Sequence, residues 1–398
     1  MRLLLVALAC VIGLTGSTLP VRLPGPLPHD AYIWQRVWTP AVVDAAARSA
    51  DIVRNWRILV AEADRAGRWT DVQVPWDKVI DTHRPVVAVL RIDGRLEEAR
   101  MVALVDRIVA TVDTLSGRAP LAGVEIDYDC PTSKLETYAR FLSALRSRLS
   151  PALALSITAL PTWMNAPDLA RLGADVSEFV LQVHAVDDPR RGLFDPDQAE
   201  QWVRAFGRRI GRPFRVALPA YDVRVSWDAG GRLAGVEGER PILTGVADSR
   251  MLVAAPEAVR HLLNRLEESA PEGLAGVAWF RLPTAADRRA WSPQTWRAVV
   301  TDRLPPADVR AVLEATDRPE LWNVVLSNDG TVDAPLPRQV RLDLACAAAD
   351  GANGFQLTSH GVSPVLEARS PGRLRAHTRR IIGWARCAQP QRQLDVAR

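Results

Sequence analysis

Residues 123–130 read GVEIDYDC and place Glu125, Asp127 and Asp129 on alternate positions. The residues between them, Val124, Ile126 and Tyr128, suit a β-strand. Successive side chains of a strand point to opposite faces, so the three carboxylates share one face, each about 7 Å from the next. Like charges stacked in this way repel, and the repulsion raises the pKa of at least one of them. A carboxylic acid that stays protonated near neutral pH beside an ionised carboxylate is the equipment of general acid–base chemistry, including the protonation of a glycosidic oxygen. The competing reading is structural: Arg36, Arg91 and Arg281 neutralise Glu125 and its neighbours in a buried ion-pair network without any reaction.

The elements that must carry this column can be read from periodicity. Apolar strand-like runs at 31–38, 56–63, 85–92, 121–129, 152–160, 178–186, 214–221 and 274–282 alternate with helical patterns. The helix expected at 132–149 spaces Leu135, Tyr138, Leu142, Leu145 and Leu149 on one face, and Ser133 and Glu136 have capping-box spacing at its start. The pattern is weakest in the second crossover, around 64–84. Eight alternating units indicate an α/β fold, a (β/α)8 TIM barrel over 31–303. An open doubly wound sheet would carry a Gly-rich phosphate turn after its first strand, and this sequence has none there. Beyond 303 the texture changes to short β-like runs, prolines and the turn pairs Asp329-Gly330 and Asn353-Gly354. That predicts a small β-sandwich domain over 304–398.

The 398-residue chain is 48% hydrophobic with a net charge of +4, an ordinary globular balance. Lys78 and Lys134 are its only lysines, so nearly all basic residues are Arg. No basic run is interleaved with aromatics, which argues against a nucleic-acid partner. The first residues, MRLLLVALACVIGLTGS, read as an export signal or membrane anchor over 1–17, too short for a comfortable membrane span. A Pro-rich linker follows at 18–30, and any membrane association is through the N-terminus. Cys10 lies in a loose lipoprotein-like context. Export implies an oxidising compartment, extracytoplasmic, in which Cys346 and Cys387 are candidates for a disulfide and Cys130 is left over. No metal-binding cysteine spacing occurs, no second His stands at ligand spacing to His184, and no cofactor is called for.

In such barrels chemistry sits at the C-terminal ends of the strands. There the sequence offers Trp34, Arg36 and Trp38, then Glu62, then Arg91 and Asp93, then the acidic column. Later strands add Gln182 and His184, followed by Asp187 and Asp188, then Tyr221, and finally Trp279 and Arg281. Trp38, Trp163, Trp227 and Trp279 are candidate stacking platforms for sugar rings. Ser156 and Thr158 lack a nucleophile-elbow pattern.

These residues resemble a known family. AGVEIDYD at 122–129 is similar to the signature strand of family 18 glycoside hydrolases, the chitinase-like barrels, whose pattern is Asp-x-x-Asp-x-Asp-x-Glu. ALPAYD at 217–222 and GVAWFRLPTAAD at 276–287 resemble that family's seventh and eighth strands. The whole chain also resembles an uncharacterised bacterial family of glycosidase-like barrels, a domain of unknown function. The resemblance implies Asp129 as general acid, Asp127 as the carboxylate that orients the substrate's N-acetyl group, Trp279 as the floor of the sugar subsite and Tyr221 as its wall. The sequence departs from the pattern at Ala122, at Glu125, at Asp129 where the family has Glu, and at Gln182-Val183-His184 where it has Met-x-Tyr.

Three function classes follow. The first is an exported glycoside hydrolase-like protein acting on a polysaccharide. The second is a non-catalytic barrel that binds saccharide or scaffolds an envelope complex. The third is a metal-dependent deacetylase that uses Asp127, Asp129 and His184. Oligomeric state is left open.

Overall fold

Eight strands whose residues are buried on both faces need cover inside and out, and a closed barrel ringed by helices provides it. The computed structural model describes residues 25–94, 96–167, 169–184, 192–237, 248–342, 346–360, 363–388 and 393–397. The leader, Cys10, most of the linker, and Asp187 and Asp188 lie outside the described residues. The barrel strands are β1 (His29–Ile33), β2 (Trp56–Ala63), β3 (Val86–Ile92), β4 (Leu121–Tyr128), β5 (Ala154–Ala159), β6 (Glu178–Gln182), β7 (Phe214–Pro219) and β8 (Leu274–Phe280). All pair in parallel with their neighbours, and β8 pairs with β1 to close the ring.

The helices obey their local signals. α1 (Pro40–Ser49) follows β1, and α2 (Trp76–Ile80) lies in the weakly patterned second crossover. That crossover also holds a short strand, Trp69–Asp71, antiparallel to β2. α3 (Glu98–Ser116), α4 (Leu135–Arg148), the single turn α5 (Leu169–Leu172), α6 (Pro196–Ile210), α7 (Pro256–Glu268) and α8 (Pro293–Val300) follow in order. In α6 the Asp195 carboxylate accepts from the Asp197 and Gln198 amides, Pro196 opens the helix, and Gly211 ends it at φ 57°. Those are the residue types each position favours. The capping box expected at Ser133 does not form. The chain instead enters α4 through a 3-10 turn at Thr132–Lys134, and no side chain caps the helix.

An antiparallel excursion, Val223–Trp227, Leu233–Glu237 and Asp248–Leu252, separates β7 from α7. The C-terminal domain is an antiparallel sheet. In spatial order its strands are Ala348–Gly351, Thr378–Arg386, Leu321–Asn328, Val309–Ala315, Gln393–Ala397, Gln339–Arg341, Ser363–Ala368 and Phe355–His360. Its core gathers Leu313, Val324, Leu326, Val340, Leu366 and Ile382. Cys346 and Cys387 are joined by a disulfide. The two domains are clamped together: Arg373 pairs with Asp222 where both are buried, and Arg375 donates to the carbonyls of Ala285, Asp287 and Ala290. The Asp333 carboxylate accepts from the Ser292 amide at 2.7 Å.

Candidate active site at the barrel mouth

Alternation within each strand sends Asp30 and Tyr32, Arg57 and Leu59, Val89 and Arg91, Glu125 and Asp127, and Glu178 and Val180 toward the barrel axis. Lower in the barrel these side chains form one ion-pair network. Arg57, 2% exposed, reaches Asp30 at 2.9 Å, Glu178 at 2.7 Å and Glu125. Arg215 reaches Asp30 at 3.2 Å and Glu178 at 3.0 Å. The Tyr32 hydroxyl donates to Glu125 Oε1 at 2.5 Å. Burial pushes Glu125 above the usual carboxylate range, against the pull of Arg57. Burial also acts on Glu178, but Arg215 and Arg57 outweigh it and hold that group low. The counter-charge of Glu125 is therefore Arg57. Of the arginines expected to neutralise Glu125 and its neighbours, Arg91 stands by Asp127, while Arg36 and Arg281, beyond the ends of their strands, pair with Glu62 and Asp287.

One turn of the pleat higher, the balance reverses. Asp127 is buried; Thr158 Oγ1 donates to its Oδ1 at 2.9 Å, and Arg91 Nε stands 3.9 Å from Oδ2. Burial, with Asp129 next, raises the Asp127 pKa to about 7; Arg91 and the Thr158 hydrogen bond oppose the rise. Asp129 follows the end of β4 and is exposed at the mouth. Crowding by protein atoms raises its pKa, with Asp93 adding to the shift and Arg91 opposing it. The backbone passes close here: a Cβ on Gly94 would lie 2.5 Å from the Asp129 carbonyl oxygen.

Aromatic rings wall this space. Trp34 is 5.0 Å from Phe280 between ring centroids, and Arg91 lies over the Trp34 ring at 6.0 Å. Phe280 stacks on His184 and meets Tyr221 edge-on at 5.5 Å. His184 Nδ1 bonds the Ala217 carbonyl at 3.1 Å, and burial lowers its pKa to about 4, so it is neutral. Burial raises Tyr221, Arg281 opposes that rise, and Asp129 adds to it, so these groups share one neighbourhood. Gln182 ends β6, half-buried, on the inward face shared with Val180.

Several candidates sit apart from this cluster. β1 ends at Ile33, so Arg36 and Trp38 lie in the loop to α1 rather than on a strand; that loop must turn before Pro40 opens the helix. Arg36 is engaged with Glu62 through Nη2–Oε2 at 2.7 Å on the rim. Arg281 stays beside Tyr221 in the cluster, but its ion pair is with Asp287 of the following loop. Trp279 does not floor the mouth. It faces outward from β8, fully buried between Trp291 and Trp296, and its Nε1–H donates to His29 Nδ1 at 3.0 Å. Its neighbour Phe280 takes the inward place. Trp163 is also core, donating to the Cys130 carbonyl at 2.8 Å. Among the described residues no three His, Cys, Asp or Glu side chains gather as metal ligands, so Asp127, Asp129 and His184 are not a ligand set. Asp30, Arg57, Glu178, Arg215 and Thr158 complete the two layers. Their only sequence signal is a lone polar residue within an apolar strand.

Comparison with known proteins fits this geometry. Residues 82–285, half of the chain, match the model of a family described as domain of unknown function DUF3142. The chain belongs to this family. Residues 311–388 match a second family model, domain of unknown function DUF8456. The spore cortex-lytic enzyme SleL of Bacillus cereus superposes with a TM-score of 0.53 at 13% identity, over 72% of this chain and 76% of that one. SleL of Bacillus megaterium QM B1551 gives 0.51 at 14% identity over the same shares. A chitinase from Chromobacterium violaceum gives 0.49 at 15% identity, over 70% of this chain and 99% of that one. At these identities the likeness is one of fold, a TIM barrel. No curated protein matches the chain in sequence.

Proposed function

We propose that this DUF3142 protein is an exported glycoside hydrolase-like enzyme acting on a polysaccharide, with Asp129 as general acid and Asp127 as the carboxylate that positions and stabilises. One observation carries the reading. Asp127 and Asp129 lie at the mouth with Arg91 beside them, and both are held above the ordinary Asp range, Asp127 at about 7. Such a pair retains a proton near neutral pH. Asp129, the exposed member, delivers that proton to the glycosidic oxygen as the C–O bond breaks. The departing sugar leaves as an alcohol, and water supplies the hydroxyl to the anomeric carbon. Asp127, fixed by Thr158, faces the positive charge that develops on the sugar ring. Trp34 and Phe280 offer apolar faces for the ring, with Tyr221 and His184 as neighbouring polar edges. The fold likeness to SleL, a spore cortex-lytic enzyme, supports a lytic activity.

Asp129 is one methylene shorter than the Glu of family 18, and this favours a second reading, a saccharide-binding barrel without turnover. A reducing-end assay over a panel of glycans, run beside direct binding, separates the two. The hydrolase reading expects cleavage that falls about 10²–10⁴-fold in Asp129→Asn with an unchanged melting temperature. Binding without cleavage across the panel, or undiminished turnover by Asp129→Asn, contradicts it.

A further inference from the structure

A second recess, outside the acidic cluster of the barrel mouth, lies where the two domains meet. It encloses about 530 Å³ between Arg250 and Val253 of the barrel's antiparallel excursion and residues 335–338 and 367–372 of the C-terminal domain. That volume is in the range of ligand sites. Three guanidinium groups line it, Arg250, Arg338 and Arg369, against one carboxylate, Glu367. Among the described residues none of the three is held in an ion pair. This contrasts with Arg57, Arg215 and Arg373, which are each committed to carboxylates. The floor is apolar, with Leu336 and Ala368 half-buried beneath prolines.

Both walls are held in place without a ligand. The Arg373–Asp222 pair and the Asp333–Ser292 hydrogen bond join the domains, and Leu336 donates its amide to Gly372 at 2.9 Å within the C-terminal wall. The walls that carry the exposed arginines are therefore in place before binding, which lowers part of its ordering cost.

We infer that this interdomain groove binds an acidic saccharide chain through its carboxylates. Planar guanidinium groups match carboxylates in bidentate geometry and recognise them better than neutral hydroxyls. No aromatic ring lines the groove, so neither neutral sugar rings nor nucleic-acid bases find a stacking platform there. Strand Ser363–Ala368 is paired on both sides, with Gln339–Arg341 and Phe355–His360, so it offers no edge of its own to an added peptide strand. The choice of a saccharide rests on the reading of the barrel as glycosidase-like; the choice of an anion rests on the three arginines alone. The C-terminal domain thereby gains a role in holding the chain whose bonds meet the mouth.

The test uses the full chain with an oligogalacturonate and its carboxyl-reduced, neutral counterpart of equal length. Binding is read by calorimetry at low and moderate salt. The wild type is expected to bind the acidic form, more weakly as salt rises, and to bind the neutral form at least about tenfold less well. The triple variant Arg250→Ser, Arg338→Ser, Arg369→Ser is expected to lose about tenfold or more in affinity for the acidic form at an unchanged melting temperature. The single variant Arg369→Gln provides the same comparison with less perturbation and is expected to lose a few-fold. Turnover by the wild type is read in a separate assay, so failure of the hydrolase reading registers there, whereas failure of this inference registers in the arginine variants' binding. Equal affinity for the two forms, no binding of the acidic form, or wild-type binding by the arginine variants overturns the inference.

Discussion

Strand β4 contributes carboxylates to two layers that solve the same electrostatic problem in opposite ways. In the lower layer Glu125 belongs to a network in which Arg57 and Arg215 answer Asp30, Glu125 and Glu178, and Tyr32 donates the hydrogen bond that completes it. In the upper layer Asp127 and Asp129 share Arg91, whose nearest approach to Asp127 is 3.9 Å, and Asp93 adds a further negative charge beside Asp129. The lower layer neutralises charge with close pairs. The upper layer leaves charge underpaid at an open mouth, and the carboxylates respond by holding protons. Spacing alone does not separate these roles, since Asp127 stands two positions from Glu125 and two from Asp129; the partners supplied by other strands do.

Replacing Arg57 breaks the comparison most severely. Arg57→Leu leaves Asp30, Glu125 and Glu178 without their shared cation in a dry interior and is expected to cost about 3–5 kcal/mol of stability. Urea denaturation measures it. A loss below about 1 kcal/mol would show that the lower layer is not a structural network. Trp279 sharpens the distinction between the mouth and its surroundings. Trp279→Leu removes a large ring from the outer core and is expected to cost about 2–4 kcal/mol while leaving ligand affinity at the mouth unchanged. Binding measured well below the melting temperature checks this, and a large drop in affinity would return Trp279 to the site.

The barrel, its eight strands and the acidic column were legible because strand alternation and the βα period are local signals. Ser156 and Thr158, unremarkable as nucleophiles, prove to be donors to Glu125 and Asp127. The partners of Glu125 were not legible. Asp30, Arg57, Glu178 and Arg215 come from four strands spread over the barrel, and only closure of the ring brings them together. Trp279, which the family resemblance makes the floor of the subsite, lies on the outer face, because strand parity is set by register and a shift of one residue exchanges the inner and outer faces. Here it puts Phe280 inside and Trp279 among Trp291 and Trp296. Trp34, Arg36 and Trp38 read as one strand because each suits a strand, but Pro40 opens a helix and the chain must first turn out of the sheet.

The central claim is that the upper carboxylates, Asp127 and Asp129, share a proton near neutral pH. Carboxyl-carbon NMR titration of aspartate-labelled protein, with Asp127→Asn to assign the signal, tests it directly. The predicted result is an Asp127 midpoint near 7, against an ordinary value of 3.8. The same shift has a thermodynamic consequence. The folded state binds this proton more tightly than the unfolded state, so its stabilising contribution is present below about 3.8 and is lost as pH rises through about 7. Asp127→Asn should remove that decline, gaining stability relative to the wild type at pH 8 over pH 5. An Asp127 midpoint near 4, with no difference between wild type and Asp127→Asn in the pH dependence of stability, would contradict the account.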